Sequence, residues 1–174
     1  MNKVLEYFLR AAPWALCLMM VVPYAVYNLT GFGRTPLEWG FLVIYFLAVV
    51  IGWIYSVGST ANDRLPPEHR LNPLPFRVAA SFPFVALVVF VVAVLLPLVR
   101  GQITHPPSWV IFVHFGAIFS LAYCYWFAAR QFITLRRGTE ITFIDYYPAF
   151  MGFWFCFIGV WFLQPKVQET FSQR

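Results

Sequence analysis

Hydrophobic residues fall into five long runs along the chain, separated by short polar segments. The runs cover about residues 11–29, 37–57, 78–99, 109–129 and 146–163. A helix needs about 20 residues to cross a hydrocarbon core of about 30 Å, and these runs have that length. The pattern therefore predicts an all-α fold, a polytopic transmembrane helix bundle with five spans in a single domain of residues 1–174.

The first and last runs each have an alternative interpretation. The fifth run is the shortest of the five. If it is a re-entrant or interfacial segment and does not cross the membrane, the C-terminus lies on the same side of the membrane as the N-terminus. A cleaved signal peptide is the rival for the first run. That run is long, however, contains Pro13 and Pro23, and lacks an Ala-x-Ala exit before Arg34, so we expect a retained span.

Basic residues predict the orientation, because Lys and Arg are retained on the cytoplasmic side of a membrane. Five spans with the N-terminus inside place eight basic residues in the cytoplasm: Lys3, Arg10, Arg64, Arg70, Arg77, Arg130, Arg136 and Arg137. Four lie opposite: Arg34, Arg100, Lys166 and Arg174. This bias predicts a cytoplasmic N-terminus and a periplasmic C-terminus.

The composition excludes a water-soluble domain. Hydrophobic residues make up 61% of the chain and charged residues 11%, which is too few to cover a soluble surface. The net charge of +5 does not indicate nucleic-acid binding, because the basic residues stand at the ends of the runs and form no basic face. The predicted partners are membrane lipids, with another membrane protein or a second copy of this chain as further candidates.

Motifs for metal binding and catalysis are missing from the sequence. Cys17, Cys124 and Cys156 fall inside apolar runs, and no metal-type spacing links them to the histidines. We therefore expect no metal, cofactor or disulfide framework. There is no HExxH, GxSxG, glycine-rich phosphate loop or carboxylate pair either. The absence of these motifs disfavours an enzyme but leaves open whether the protein is one.

Small residues recur at helical spacing in two of the runs, as they do where membrane helices approach closely. The predicted helix-packing positions are Gly116, Ser120, Cys124, Ala128, Gly152, Cys156 and Gly159. They would face either neighbouring helices of the same chain or a second copy.

His114 is the strongest candidate for a functional residue. It stands six residues beyond Ser108, about 9 Å along a helix, in a run whose interior has no Asp, Glu or Lys. Ionisable residues are costly in lipid and often functional. The candidate binding residues are His114, Tyr125, Tyr123, Asn28 and Tyr27.

Three classes of function follow from these patterns. The first is a non-enzymatic subunit or accessory protein that acts by helix packing. The second is a transporter, or a protein that binds a lipid or small molecule, with a cavity near His114. The third is a haem or quinone redox protein, which is weakened because the other histidines, His69 and His105, stand in loops.

The C-terminal region carries a resemblance to known proteins. Residues 143–167 read FIDYYPAFMGFWFCFIGVWFLQPKV. This resembles an uncharacterised family of small bacterial multi-pass inner-membrane proteins whose aromatic last helix ends in Ile-Gly-x-Trp-Phe-x-Gln-Pro-Lys/Arg. WIYSVG at Trp53–Gly58 and the stretch from His114 to Arg130 are weaker echoes. The resemblance implies a bacterial inner membrane and no particular activity. If the motif is structural, Gln164 and Pro165 should end the last helix at the interface.

Overall fold

The computed structural model describes residues 3–30, 35–102, 105–139 and 141–172, which are helical with short connections and contain no β-strand. The α-helices are α1 (Lys3–Arg10), α2 (Pro13–Thr30), α3 (Pro36–Arg64), α4 (Pro73–Phe90), α5 (Leu96–Val99), α6 (Val110–Arg137), α7 (Phe143–Trp154) and α8 (Cys156–Ser172). A π-helical turn, Val91–Leu95, joins α4 to α5, and a 3₁₀ turn, Pro67–His69, lies between α3 and α4. The predicted all-α bundle is confirmed.

Four helical segments are long and apolar enough to cross a membrane: Pro13–Thr30, Glu38–Arg64, Pro73–Val99 and Val110–Arg137. They match the first four hydrophobic runs, but two helices continue past their runs, α3 to Arg64 and α6 to Arg137. These extensions are polar in sequence and yet buried, as Asn62 and Gln131 illustrate. Packing within the bundle therefore carries the helices beyond the hydrophobic pattern.

The fifth run is not a single spanning helix. It forms α7 and α8, which are separated at Phe155, where φ is −93° and ψ is 56°. The two helices fold back on each other as a hairpin, and the side chain of Leu163 in α8 lies against Gly152 in α7. The prediction of a full span over 146–163 is therefore wrong, because two short helices with an apolar bend produce the same hydrophobic run.

The hairpin returns the chain to the end of the bundle where it began. The Gln168 amide donates to the carbonyl oxygen of Arg10 at 3.0 Å, and Arg136 pairs with Glu169 at 3.2 Å. The end of α8 thus lies beside α1 and beside the last turn of α6. The described parts of the two chain ends therefore lie at the same end of the bundle, whereas five full spans would place them at opposite ends.

Close backbone contact holds the hairpin together. An added Cβ on Gly159 would overlap the carbonyl group of Gly152, and one on Gly152 would lie 2.7 Å from Leu163 Cδ1. Only glycine leaves room for this approach. Small residues at helix interfaces in membranes generally allow the two backbones to come close in this way. Cys156, the third small residue predicted here, is buried beside the bend.

A buried glutamine ties the hairpin to the N-terminus. The break between α1 and α2 leaves carbonyl groups unpaired at the end of α1, since Pro13 has no N–H to offer them. The Gln164 amide donates to the carbonyl oxygens of Phe8 (3.0 Å), Leu9 (3.1 Å) and Ala11 (2.9 Å), and Gln164 Oε1 accepts from Trp53 Nε1 at 2.8 Å.

The neighbouring proline does not end the helix. Pro165 lies inside α8, which continues to Ser172. The expectation that Gln164 and Pro165 stop the last helix is therefore wrong. Gln164 is fully buried in the bundle and links three helices instead.

The bundle has two unequal halves. We call the half that holds α1, the hairpin, residues 49–80 and residues 122–137 the terminal half; the rest of the bundle is the open half. The largest fully buried side chains of the terminal half include Trp53, Phe76, Phe127, Phe132 and Phe153. The Phe76 ring stacks on Phe127 at 4.2 Å and on Tyr55 at 5.3 Å between ring centroids. In the open half, by contrast, Phe112 and Phe119 are 75% and 70% exposed.

Candidate functional site

A groove of about 750 Å³ opens between α3, α4 and α6 in the open half, and we call it the His114 groove. Its lining is drawn from three helices and from the segment before α6. The lining residues include Trp39, Val43, Leu47, Pro83, Ala86, Leu87, Phe90, Ser108, Trp109, His114, Ala117, Ile118 and Leu121. Side chains of the first half of α3 thus meet those of the second half of α4 and the first half of α6.

The groove forms on one side of α6 because the other side is held against α4. Ser120 Oγ donates to the carbonyl oxygen of Ala79 at 2.7 Å, and a Cβ on Gly116 would lie 3.1 Å from the Phe82 ring. Residues 114, 117, 118 and 121 share the opposite face of α6 at helical spacing. On α4, Pro83 removes one intrahelical hydrogen bond, and the π-helical turn that follows changes the helical register.

His114 is the polar feature within the groove. Its side chain is exposed to the groove and makes no hydrogen bond or ion pair with another described residue. Among the described residues, the lining contains no Asp, Glu, Lys or Arg. Ser108 and Trp39 add a hydroxyl and an indole N–H near the outer end. The groove is therefore apolar, carries no permanent charge and offers a few hydrogen-bonding groups.

Four other candidate binding residues lie elsewhere. Tyr125 is buried and packs edge-on against Trp154 at 5.6 Å between centroids, and Tyr123 lies 5.4 Å from the ring of Trp126. Neither lines the groove. Both tyrosines belong to the terminal half, where the hairpin and the aromatic core cover them.

The remaining two candidates are on α2. Tyr27 and Asn28 are exposed, and the Asn28 amide donates to the carbonyl oxygen of Tyr24 in its own helix at 2.8 Å. Helix α2 packs against α3 and α8, so it adds nothing to the groove wall. Of the five residues proposed to line one cavity, the structure places His114 alone in the groove.

The small residues of α6 face helices of the same chain. Gly116 and Ser120 lie against α4, as described above. A Cβ on Gly58 of α3 would lie 3.2 Å from the Cα of Ala128, and Cys124 is buried between these two contacts. These positions are therefore covered within one copy of the chain.

Sequence reasoning missed the groove walls contributed by α3 and α4. Val43, Ala86 and Phe90 are apolar residues in apolar helices, and nothing in their pattern separates a groove from a lipid-facing surface. The one available signal was Pro83, which breaks helical hydrogen bonding inside a span.

His69 and His114 do not share a site. His69 lies in the loop at the terminal end, in a small pocket that also includes Arg70 and Arg130, whereas His114 lies in the open half. Among the described residues there is no group of three or more His, Cys, Asp or Glu side chains that could hold a metal ion. A haem held between His69 and His114 would need the two to be adjacent.

Comparison of the chain with known protein families, curated proteins and solved structures gave no match. The shape and chemistry of the groove, and of the surfaces around it, are therefore the features that indicate a function.

Proposed function

We propose that the protein is an integral membrane protein that binds a neutral amphiphile, such as a lipid with a hydroxyl or carbonyl headgroup, in the His114 groove. The observation that carries this proposal is the His114 imidazole, which has no partner among the described residues and lies in a groove whose described lining is apolar and uncharged. A volume of about 750 Å³ lies within the range of about 300–1,000 Å³ found for small-molecule sites.

The chemistry of the lining favours this class of ligand. A neutral imidazole has one N–H donor and one acceptor nitrogen, so it can pair with a hydroxyl or a carbonyl group. An ionised headgroup would lose its hydration and meet no opposite charge there, which is costly. The groove runs from Ser108 to Leu121, about 20 Å at helical rise, which suits an extended hydrocarbon chain.

The competing proposal is an accessory subunit whose partner places a helix in this groove. Close packing between membrane helices relies on small residues that let backbones approach. The groove instead carries Trp39, Phe90 and Trp109, with small side chains only at Ala86, Ala117 and Ser108. An apolar groove with bulky walls favours a hydrocarbon chain over a helix.

We further propose that the protein resides in a bacterial inner membrane with the terminal half on the cytoplasmic side. Basic residues support this orientation, because the hairpin brings Lys166 to the end that already holds most of the chain's basic residues. Arg100 is the basic residue described at the other end, while Arg34 and Arg174 lie outside the described residues.

Labelling of introduced cysteines tests the orientation. Ser172→Cys and Lys3→Cys should both be protected from a membrane-impermeant thiol reagent applied to intact spheroplasts, and Gln102→Cys should react. Protection of Gln102→Cys together with reaction of the other two would invert the orientation. Opposite results for residues 3 and 172 would contradict the hairpin.

Ligand binding is tested by filling the groove. Ala117→Phe places a ring in the groove, and Phe119→Trp is the matched control because residue 119 is exposed and outside the lining. Native mass spectrometry of protein extracted from membranes should find a bound neutral lipid in the wild type and in the control. The lipid should be lost with Ala117→Phe.

A second variant tests the imidazole itself. His114→Phe keeps the shape and removes one hydrogen bond, so lipid affinity should fall about tenfold. Recovery of no lipid from the wild type would overturn the proposal. A protein that co-purifies with the wild type and is lost with Ala117→Phe would support the accessory-subunit proposal instead.

A further inference from the structure

A second groove lies on the hairpin, in the opposite half of the molecule from His114. Its volume is about 690 Å³, and it is bounded by the last turns of α6 and by both helices of the hairpin. We call it the hairpin groove. Its lining differs from that of the His114 groove, because charged residues stand at one end and apolar residues along the rest.

Three cationic side chains and one carboxylate mark the charged end: Arg136, Arg137, Lys166 and Asp145. Arg137 contacts Asp145, and Arg136 pairs with Glu169, which lies just outside the lining, at 3.2 Å. Lys166 has no ion-pair partner among the described residues. Among the described residues, one positive charge is therefore left uncompensated at the mouth, and both arginine pairs are exposed enough to exchange partners.

The rest of the groove is lined by apolar side chains that could contact a hydrocarbon chain. Phe155 at the bend and Ile158 and Phe162 on α8 lie at spacings of three and four, and all three side chains are more than half exposed. From Cys156 to Lys166 the helix rises about 15 Å. One leaflet of a bilayer has about half of a 30 Å core, so the wall matches the depth of a single leaflet.

We propose that the hairpin groove binds an anionic phospholipid of the leaflet on the terminal side, with its phosphate at Arg136, Arg137 and Lys166 and its acyl chains along α8. Guanidinium and ammonium groups form strong charge-assisted hydrogen bonds to phosphate oxygens. Basic pockets between membrane helices are a known form of anionic headgroup site. A free phosphate would leave the exposed wall of Phe155, Ile158 and Phe162 unused.

The two grooves of this protein thus differ in the charge of their ligands. In the part of the chain that the structure describes, the His114 groove has no Asp, Glu, Lys or Arg in its lining, whereas the hairpin groove has an excess of positive charge at its mouth. The second site stands on its own residues and does not depend on the neutral amphiphile proposed for the first.

Native mass spectrometry of the purified full-length protein tests this site with defined probes. Dioleoyl phosphatidylglycerol should bind at least about tenfold more tightly than dioleoyl phosphatidylcholine, which has the same chains and a neutral headgroup. Lys166→Gln should weaken phosphatidylglycerol binding about fivefold, and adding Arg136→Gln should weaken it about fivefold again. Binding of phosphatidylcholine should stay unchanged.

Controls separate this site from general attraction to negative lipids. Arg77→Gln removes an exposed cation at the start of α4, outside the groove, and should leave phosphatidylglycerol binding within twofold of the wild type. If Arg136→Gln disturbs folding, Lys166→Gln alone provides the test, since Lys166 has no ion-pair partner among the residues that the structure describes.

Three results would overturn the proposal. The first is equal affinity for the two lipids. The second is an equal loss of binding from Arg77→Gln and Lys166→Gln. The third is full displacement of phosphatidylglycerol by glycerol phosphate at similar concentration, which would identify a site for a soluble anion. Continued binding of the lipid in excess glycerol phosphate supports the lipid site.

Discussion

The terminal and open halves of this bundle are built from the same long helices, yet most of the buried core lies in the terminal half. Near residues 49–65 and 124–135, α3 and α6 are mostly buried, while earlier parts of α3 and α6 are largely exposed. The α7–α8 hairpin accounts for the difference. It adds two helices to the terminal half and turns back at Phe155 before it reaches the other half.

This arrangement shows how a short chain can build both a rigid support and a binding surface. Helix α6 packs against α3, α4 and α7, so its second half is enclosed. The hairpin does not extend beside the first half of α6, and the space beside His114 is the groove. The comparison between the halves can therefore be tested by equivalent changes made in each.

The largest expected effect comes from truncating the aromatic core. Phe76→Ala removes a fully buried ring that stacks on Phe127 and Tyr55 and should lower the free energy of unfolding by about 4 kcal/mol. Phe112→Ala, the same change at an exposed site in the open half, should cost less than about 0.5 kcal/mol. Denaturant titration in mild detergent measures both. Equal costs would refute the contrast between the halves.

A smaller but still large effect is expected at the apex of the hairpin. Gly159→Ala places a methyl group on the Gly152 carbonyl and should cost about 3 kcal/mol or open the hairpin. Gly40→Ala is the matched control, since its Cβ would meet only Val91 at 3.8 Å and alanine has the better helix propensity. The control should keep or raise the thermal midpoint. A tolerated Gly159→Ala would show that the two helices are further apart.

Loss of the buried glutamine should have an intermediate effect. Gln164→Leu leaves the Trp53 N–H and the Phe8 and Leu9 carbonyl groups without their Gln164 partner, at about 1–2 kcal/mol, while the Ala11 carbonyl still accepts from Gln168. Gln102→Leu, an exposed site in the open half, should be neutral. Faster proteolysis near residue 11 in Gln164→Leu would locate the damage at the junction of α1 and α2. Unchanged stability would mean that the network contributes nothing.

The smallest effect concerns pH. The pKa of Asp145 is held below its usual range, first because the Thr142 backbone N–H donates to its carboxylate at 2.8 Å and then because the Thr142 hydroxyl donates at 2.8 Å, with Arg137 contributing less. A lowered folded-state pKa stabilises the fold above the ordinary aspartate pKa of about 4, and this stabilisation is lost as the pH falls through that range.

Two substitutions test the role of Asp145 in acid. Between about pH 5 and pH 2, thermal midpoints of the wild type should fall more steeply than those of Asp145→Asn. Arg137→Gln should retain most of the wild-type slope, because the hydrogen bonds from Thr142 remain. A slope abolished by Arg137→Gln would assign the effect to the ion pair.

Hydrophobic run length predicted four of the helices but misjudged the fifth run. A span and a hairpin of two short helices have the same composition when the bend itself is apolar, as at Phe155. Proline was not a guide either, since Pro148 and Pro165 lie inside helices and not at the bend. The pair Gly152 and Gly159 was recognised as a packing signal, but the sequence could not say that the two residues pack on each other.

The candidate site was predictable only at one residue. His114 stood out because an ionisable group inside an apolar run is costly, and that argument needs no partner. The other proposed residues were chosen for polarity, and the bundle separates them: Tyr125 is covered by the hairpin, while Tyr27 lies on α2. Which side chains share a groove depends on how helices are paired, and apolar faces carry little information about that pairing.

The sequence by itself determined that the chain is a bundle of apolar helices, that His114 stands within one of them, and that basic residues gather towards one end. These properties follow from composition and local periodicity. The tertiary structure decided that the last run turns back, that Gln164 joins it to the N-terminus, and that a groove opens beside His114. Those outcomes depend on contacts such as Trp53 with Gln164, 111 residues apart, which no local pattern encodes.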